Sequence, residues 1–233
     1  MELLQPKSVS LIIADLPYGK TKNDWDVIID PDAAWKQFSR IIKDNGVIAL
    51  TGTFDFLSMM KEKATVPYRY DIVWKKNRST NHFNANRQPL RQHELIVIFY
   101  KRMPVYHPQK TEGHRPVNKF YTRHSGANYG KSKVVAGGGQ TDRYPTSVWE
   151  ISVVSNSNGR RLNPTEKPVE LYERLIRTYT NPGDLCFDPT CGSGVIGEAA
   201  LLSKRDFIGM DIRAEACREA SERIDELLTM NCS

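Results

Sequence analysis

Apolar residues occur along the chain in short runs with sharp ends. Val9-Ser10-Leu11-Ile12-Ile13-Ala14 stops at Asp15-Leu16-Pro17-Tyr18-Gly19, which predicts a buried parallel strand running into a turn at its carboxyl edge, where open α/β sheets hold their ligands. Asp30-Pro31 reads as the N-cap and first position of a helix; Ala34, Trp35, Phe38, Ile41 and Ile42 recur on one face of it, and Asn45-Gly46 marks its expected end. Trp35 belongs to that face as a core residue. Val47-Ile48-Ala49-Leu50 predicts a second strand, Phe56, Leu57, Met59 and Met60 a helix, and Tyr70 to Trp74 a third strand. Residues 75 to 93 show neither helical nor strand period and read as a long loop, before the strongly apolar strand Glu94 to Tyr100.

From Lys101 to about Val148 the pattern dissolves into Pro, Gly, His and Tyr, which predicts an insertion that reads a substrate. Order returns with a strand at Val148 to Ile151. A Pro-framed turn, Asn163 to Pro168, leads into a helix with Val169, Leu171, Tyr172, Leu175 and Ile176 on its apolar face. The strand Asp184 to Phe187, the turn Asp188-Pro189-Thr190-Cys191-Gly192-Ser193-Gly194, a helix over 195 to 202, a strand over 207 to 210 and a last helix over 214 to 228 complete the chain. Alternation of this kind implies an α/β fold with a mostly parallel sheet and helices on both faces.

Composition narrows the options. The 233 residues suffice for one α/β domain with insertions, and no apolar run approaches the roughly 20 residues of a membrane span, so a soluble, cytoplasmic protein is expected. Cys186, Cys191, Cys217 and Cys232 lack Cys-x-x-Cys spacing, so neither a metal site nor a disulfide framework is expected. The net charge of +6 is unevenly spread. Between Lys75 and Lys133 there are 13 Lys or Arg against two acids, Glu94 and Glu112, so that segment carries +11 and the rest of the chain −5. All five histidines fall there too, interleaved with Phe83, Phe99, Tyr100, Tyr106, Phe120, Tyr121 and Tyr129. Cations mixed with aromatics and amides suit phosphates and unstacked bases.

Two stretches carry candidate chemistry. In the first, Pro17 has no N–H and leaves the Leu16 carbonyl able to face outward beside the Asp15 carboxylate, with the ring of Tyr18 next to both. Two acceptors and a flat ring suit a planar group bearing an NH₂, such as an adenine or cytosine edge, although an ordinary Pro-Gly turn explains the pentapeptide alone equally well. The second runs from Leu185 to Asp211 in the order strand, Gly-containing turn, helix, strand and carboxylate, as in a dinucleotide fold. It lacks the third spaced glycine and the Gly-Lys-Ser/Thr ending of a phosphate loop, and Asp188 at its entrance would repel a pyrophosphate. A ligand with an ammonium and a sulfonium but no phosphate, such as S-adenosylmethionine, fits better; Gly192 and Gly194 would admit its amino-acid end, and Asp211 would accept from the ribose.

Taken together, these stretches resemble the β-class amino-methyltransferases of DNA, in which the catalytic motif precedes the cofactor motif. The likeness rests on Asp15-Leu16-Pro17-Tyr18-Gly19, Trp74-Lys75, Arg91-Gln92-His93-Glu94, Asn163-Pro164-Thr165-Glu166-Lys167-Pro168 and Phe187 to Gly194. Leu16 stands where the family usually has Pro, and Asn163 where it often has His. The resemblance implies a Rossmann-like methyltransferase fold with a catalytic half at 1–100, an inserted target-recognition region at 101–150 and a cofactor-binding half at 151–233. It implies transfer of a methyl group from S-adenosylmethionine to N6 of an adenine flipped out of double-stranded DNA, with cytosine-N4 transfer and a non-catalytic DNA-binding protein as alternatives. Asp15, Leu16, Pro17 and Tyr18 would be catalytic. Asp15, Thr165, Lys167, Asp188, Pro189, Thr190, Cys191, Gly192, Ser193, Gly194 and Asp211 would bind the cofactor, Lys167 being equally readable as an ordinary helix-start lysine. Lys75, Lys76, Arg78, His82, Arg87, Arg91, Lys119 and Arg123 would face DNA. Related enzymes are often dimers, so the resemblance admits a homodimer, and it admits a cognate restriction endonuclease as a partner.

Overall fold

The computed structural model describes residues 1–17, 19, 29–117, 137–154 and 166–230. They form two compact units, one of residues 1–107 with 147–233 and one of residues 108–146.

The larger unit is built on a seven-stranded sheet. Strands β1 (Val9–Ala14), β2 (Ile42–Gly52), β3 (Tyr68–Thr80), β4 (Arg91–Phe99), β5 (Val148–Glu150), β6 (Leu185–Asp188) and β7 (Asp206–Gly209) lie in the order β5-β3-β4-β2-β1-β6-β7. Only β4 runs against its neighbours, pairing antiparallel with β2 and β3; the other pairings are parallel. Side chains of β1 alternate between the two faces. Leu11 and Ile13 pack with helices α3 (Val169–Tyr179) and α4 (Val195–Leu202), while Ile12 and Ala14 pack with α1 (Pro31–Ile41) and α2 (Phe54–Glu62). Both faces are therefore covered, as the alternation of elements predicts. Helix α5 (Ala214–Met230) follows β7 and buries Ala216 and Ala220.

Adjacent strands β1 and β6 set the position of the site. From β1 the chain winds through α1 to β2 on one side, and from β6 it winds through α4 to β7 on the other. Their carboxyl ends thus flank a topological switch point, a crevice left open because the two crossovers diverge. Asp15 follows the end of β1, and Asp188 ends β6.

Two elements differ from expectation. Helix α1 begins as read, with Asp30 accepting from the Asp32 amide at 3.1 Å and Pro31 next, and the Trp35 indole N–H donates to the Met60 carbonyl at 2.8 Å inside the core. It ends at Ile41, however, and Asn45-Gly46 lies within β2 at a register shift against β1. A side chain at Gly46 would come within 2.9 Å of the Ser10 carbonyl, so the glycine serves close strand approach rather than helix termination. Residues 75–93 form most of a long hairpin in place of the expected loop: the ladder pairs Lys75 with His93 and Thr80 with Arg91, around a 3-10 turn at His82–Asn84. This ribbon extends past the core, with almost every residue from 77 to 93 exposed, so no apolar alternation marks it as strand.

In the smaller unit, Thr111 and Arg143 exchange backbone hydrogen bonds, and Lys110 pairs with Asp142 at 2.6 Å while lying 4.4 Å from the ring centroid of Tyr144. Among the described residues no helix is long and apolar enough to cross a membrane, and no group of His, Cys, Asp or Glu could hold a metal ion.

Candidate active site at the switch point

Asp15 is held on both carboxylate oxygens. Its Oδ1 accepts from the Thr51 hydroxyl at 2.7 Å, and its Oδ2 is ion-paired with Lys167. Thr51 reaches it because β2 runs parallel to β1 and ends beside it. Lys167 arrives from the turn before α3 with its side chain only 8% exposed, and lies 3.8 Å from a second carboxylate, Glu94. Burial alone would push the Lys167 ammonium down, but Asp15, with Tyr172 and Glu94, holds it well above its ordinary value. Glu94 also pairs with Lys76, whose ammonium lies 4.8 Å from the Trp74 ring centroid. Two carboxylates and two ammoniums thus alternate at the base of the β3–β4 hairpin. Burial of Tyr172 beside them raises its phenol well above the usual range.

The cofactor turn is built differently. Asp188 is buried, and its Oδ1 accepts from the Thr190 amide at 2.8 Å; burial lifts its carboxyl from 3.8 to about 7. Gly192 has φ +49, and nothing lies within 4 Å of where a side chain would point; its amide donates to Asp211 Oδ2 at 3.0 Å. Gly194 also has positive φ, but a Cβ there would come within 2.8 Å of Ala220 Cβ, so its missing side chain admits α5, whereas the expectation was that it admits a ligand. Asp211 further accepts from the Arg213 amide at 2.9 Å, which orients it at the end of β7. Burial pushes the Cys191 thiol up to about 12, making it an inert wall of the turn. The buried carboxylate, which makes no ion pair among the described residues, the open glycine and the oriented second carboxylate form a donor and acceptor set that fits S-adenosylmethionine.

One dipeptide joins the two sites. Lys167 binds Asp15, while the preceding Glu166 accepts from the Ser193 hydroxyl at 2.9 Å and pairs with Arg223 at 3.2 Å. Arg223 in turn holds Glu198 at 2.6 Å. Ser193 therefore points to Glu166, and the Thr190 hydroxyl lies 3.4 Å from the Asp15 carbonyl as a second bridge. The family likeness assigns Lys167 to the cofactor side, and the sequence marks no site role for Thr51, Glu94, Glu166 or Arg223, nor for Tyr172 beyond its place on a helix's apolar face. The signal for Glu94 is a carboxylate at the mouth of the most apolar strand; Thr51 carries none.

Leu16 is buried in the core, and Pro17 and Pro189 frame the two strand ends. Lys75 pairs at the surface with Glu150 at 2.9 Å. Lys76, expected among the DNA-facing cations, is turned inward instead, because Glu94 and Trp74 offer it a partner and a ring in the same place. Arg78, His82, Arg87 and Arg91 are all exposed on the hairpin. Tyr18, Lys119, Arg123 and Thr165 lie outside the described residues.

Comparison with known proteins places this geometry. Type II methyltransferase M.HpaI of Haemophilus parainfluenzae is 28% identical over 243 residues, covering 95% of this chain and 70% of that protein. DNA adenine methyltransferase YhdJ of Escherichia coli is 28% identical over 253 residues, covering 97% and 79%. Among solved structures, the cytosine-N4-specific PvuII DNA methyltransferase aligns with a TM-score of 0.65 at 17% identity over 95% of this chain and 81% of that one. The M1.HpyAVI complex with SAM aligns with a TM-score of 0.60 at 22% identity over 92% and 88%. Residues 9–222 match the N6_N4_Mtase family model, described as DNA methylase, and the chain belongs to that family.

Proposed function

We propose that this DNA methylase transfers a methyl group from S-adenosylmethionine to the N6 amine of an adenine flipped out of double-stranded DNA. The observation that carries the reading is Asp15 at the switch point, fixed on both oxygens and joined through Glu166-Lys167 to the cofactor turn. The near full-length likeness to a protein named as a DNA adenine methyltransferase supports adenine.

The exocyclic amine is a weak nucleophile because its lone pair is shared with the ring. With Lys167 and Thr51 taking one lone pair on each oxygen, Asp15 keeps further lone pairs for the incoming amine. Accepting the amine hydrogens at Asp15 and at the Leu16 carbonyl would favour a more tetrahedral nitrogen, with its lone pair freed from the ring for methyl transfer. Tyr18 is the residue assigned to stack on the flipped base. Lys167 acts by holding the carboxylate in a fixed orientation from the buried side, which suits Asp15 to accepting hydrogen bonds. Orientation of this kind supplies roughly 7–11 kcal/mol in favourable cases.

S-adenosylmethionine, when bound, supplies an electrophilic methyl group on a sulfonium. Asp188 would meet its ammonium, the Gly192 backbone would admit its amino-acid end, and Asp211 would accept from its ribose. Pro189, Thr190, Cys191, Ser193 and Gly194 shape the turn, with Thr165 and Lys167 at its margin. Residues 1–100 and 151–233 supply the two halves, residues 101–150 read the target, and Lys75, Arg78, His82, Arg87, Arg91, Lys119 and Arg123 face phosphate.

Methylation mapping of DNA from a host expressing the protein tests the reading, with N6-methyladenine at one short sequence expected. N4-methylcytosine at that sequence would reassign the base while keeping the mechanism. Unmodified DNA would remove the assignment.

A further inference from the structure

The hairpin formed by β3 and β4 is far longer than the core requires. Beyond the Lys75–His93 pair, β3 continues five residues to Thr80, about 17 Å at the usual strand rise, and residues 75–93 hold five Lys or Arg and no acid. At its tip Phe83 is fully exposed, the most exposed large apolar side chain among the described residues.

The tip presents this ring on a fixed backbone. Asn81 takes a left-handed conformation at φ 72, its side-chain oxygen accepts from Asn84 Nδ2 at 2.7 Å, and its carbonyl accepts from the Asn84 amide at 3.0 Å. The Ala85 amide donates to the His82 carbonyl at 3.1 Å, and the Arg87 and Gln88 amides both donate to the Asn84 carbonyl. His82, Arg87 and Arg91 surround Phe83 in sequence and are exposed with it. An apolar ring costs solvation in water, and this one is held on a tip where His82, Arg87 and Arg91 and the amides of Asn81, Asn86 and Gln88 are exposed with it, beside the smaller apolar surface of Ala85, Pro89 and Leu90. Those neighbours match the phosphates and base edges of a duplex, while an apolar protein partner would leave their charges unmatched. The base of the ribbon carries Glu94 and Lys76, which are tied through Lys167 to Asp15, so the ring extends from the edge where the target base is handled.

From this placement we infer that Phe83 is a wedge that enters the DNA base stack as the target base leaves it. Removing a base from a duplex forfeits its stacking, and an apolar side chain inserted at the step offsets part of that loss. His82, Arg87 and Arg91 hold the adjoining phosphates while the ring is inserted. The inference rests on the DNA-modifying reading above.

The test uses the full chain and a duplex carrying the mapped target sequence, with incorporation of tritiated methyl groups as readout. Phe83→Ala lowers kcat/KM on the paired duplex roughly ten- to a hundredfold, the scale of one lost ring–base stack, while cofactor binding is unchanged. Phe83→Trp stays within about threefold of the original. On a duplex with an abasic site opposite the target, where the base leaves at little cost, F83A recovers most of the difference. Activity of F83A within twofold of the original on the paired duplex overturns the wedge, as does an equal loss on both duplexes. An original protein that methylates neither duplex removes the underlying reading and the wedge with it, a pattern distinct from failure of the wedge alone.

Discussion

Two carboxylates end neighbouring parallel strands a few residues apart in register, yet their surroundings are opposite. Asp15 keeps 31% of its side chain exposed and arrives with its charge already matched by a buried ammonium and steadied by a hydroxyl. Asp188 is buried and, among the described residues, its carboxylate accepts from the Thr190 amide and, at 3.4 Å, the Thr190 hydroxyl, and burial raises it to about 7. A carboxylate supplied with its own cation serves as a fixed acceptor, whereas one left short of a cation draws a positively charged ligand. The fold makes this distinction with side chains brought from far along the chain, since strand position treats both residues alike.

Breaking the Asp15 side should have the largest effect. Asp15→Ala is expected to lower the rate of methyl transfer at least about 100-fold, comparable with loss of one preorganised polar contact in other enzymes, and to leave cofactor binding measured by calorimetry intact. Wild-type turnover in that variant would end the catalytic assignment. Lys167→Met removes the cation shared by Asp15 and Glu94 and should destabilise the chain by about 3 kcal/mol in urea unfolding, with part of the stability and turnover returning in Lys167→Arg. Equal stability of the Met and Lys forms would mean that the ion pair holds nothing in place.

On the Asp188 side, charge and burial make the prediction depend on pH. Folding lifts this carboxyl from 3.8 to about 7, so between those values the folded chain keeps a proton that the unfolded chain has released, and stability falls as pH rises through that interval. Asp188→Asn should therefore raise the melting temperature of the ligand-free protein at pH 8 while weakening S-adenosylmethionine roughly tenfold or more, the scale of one charge-assisted hydrogen bond. In the unaltered protein, affinity should strengthen by up to about tenfold per pH unit below 7 and level off above it, with proton release seen as a dependence of binding enthalpy on the buffer. A flat profile from pH 5 to 8 would contradict the raised carboxyl.

The smallest contrast lies within the cofactor turn. Gly192→Ala meets open space and bears only the left-handed backbone cost of about 1–2 kcal/mol. Gly194→Ala adds a collision with Ala220 and should lose more stability while affecting cofactor affinity less. Reversal of that order would put the ligand against Gly194.

Both strand ends and the order of the core elements were legible in the sequence because they are written in local currency, as apolar runs stopped by Asp and Pro. The hairpin at 75–93 was not, since a ribbon with both faces wet has no apolar alternation to display. The family likeness puts Lys167 on the cofactor side, and the local stretch Asn163 to Pro168 holds nothing that points elsewhere; its partners Asp15 and Glu94 are supplied by strands some 150 and 70 residues away. Gly192 and Gly194 are indistinguishable as letters. What separates them is α5, which arrives over one and not the other.

The ribbon that carries Phe83 also has two long borders. Among the described residues, the strand partners of its outer sides reach as far as Lys75 against β5 and Leu95 against β2, and backbone left without a partner beyond them would template an added strand from a second copy of the chain. Its cations oppose that by mutual repulsion. Exchanging Arg78, Arg87 and Arg91 for neutral residues would therefore reduce solubility, so the charge proposed to face phosphate also opposes self-association.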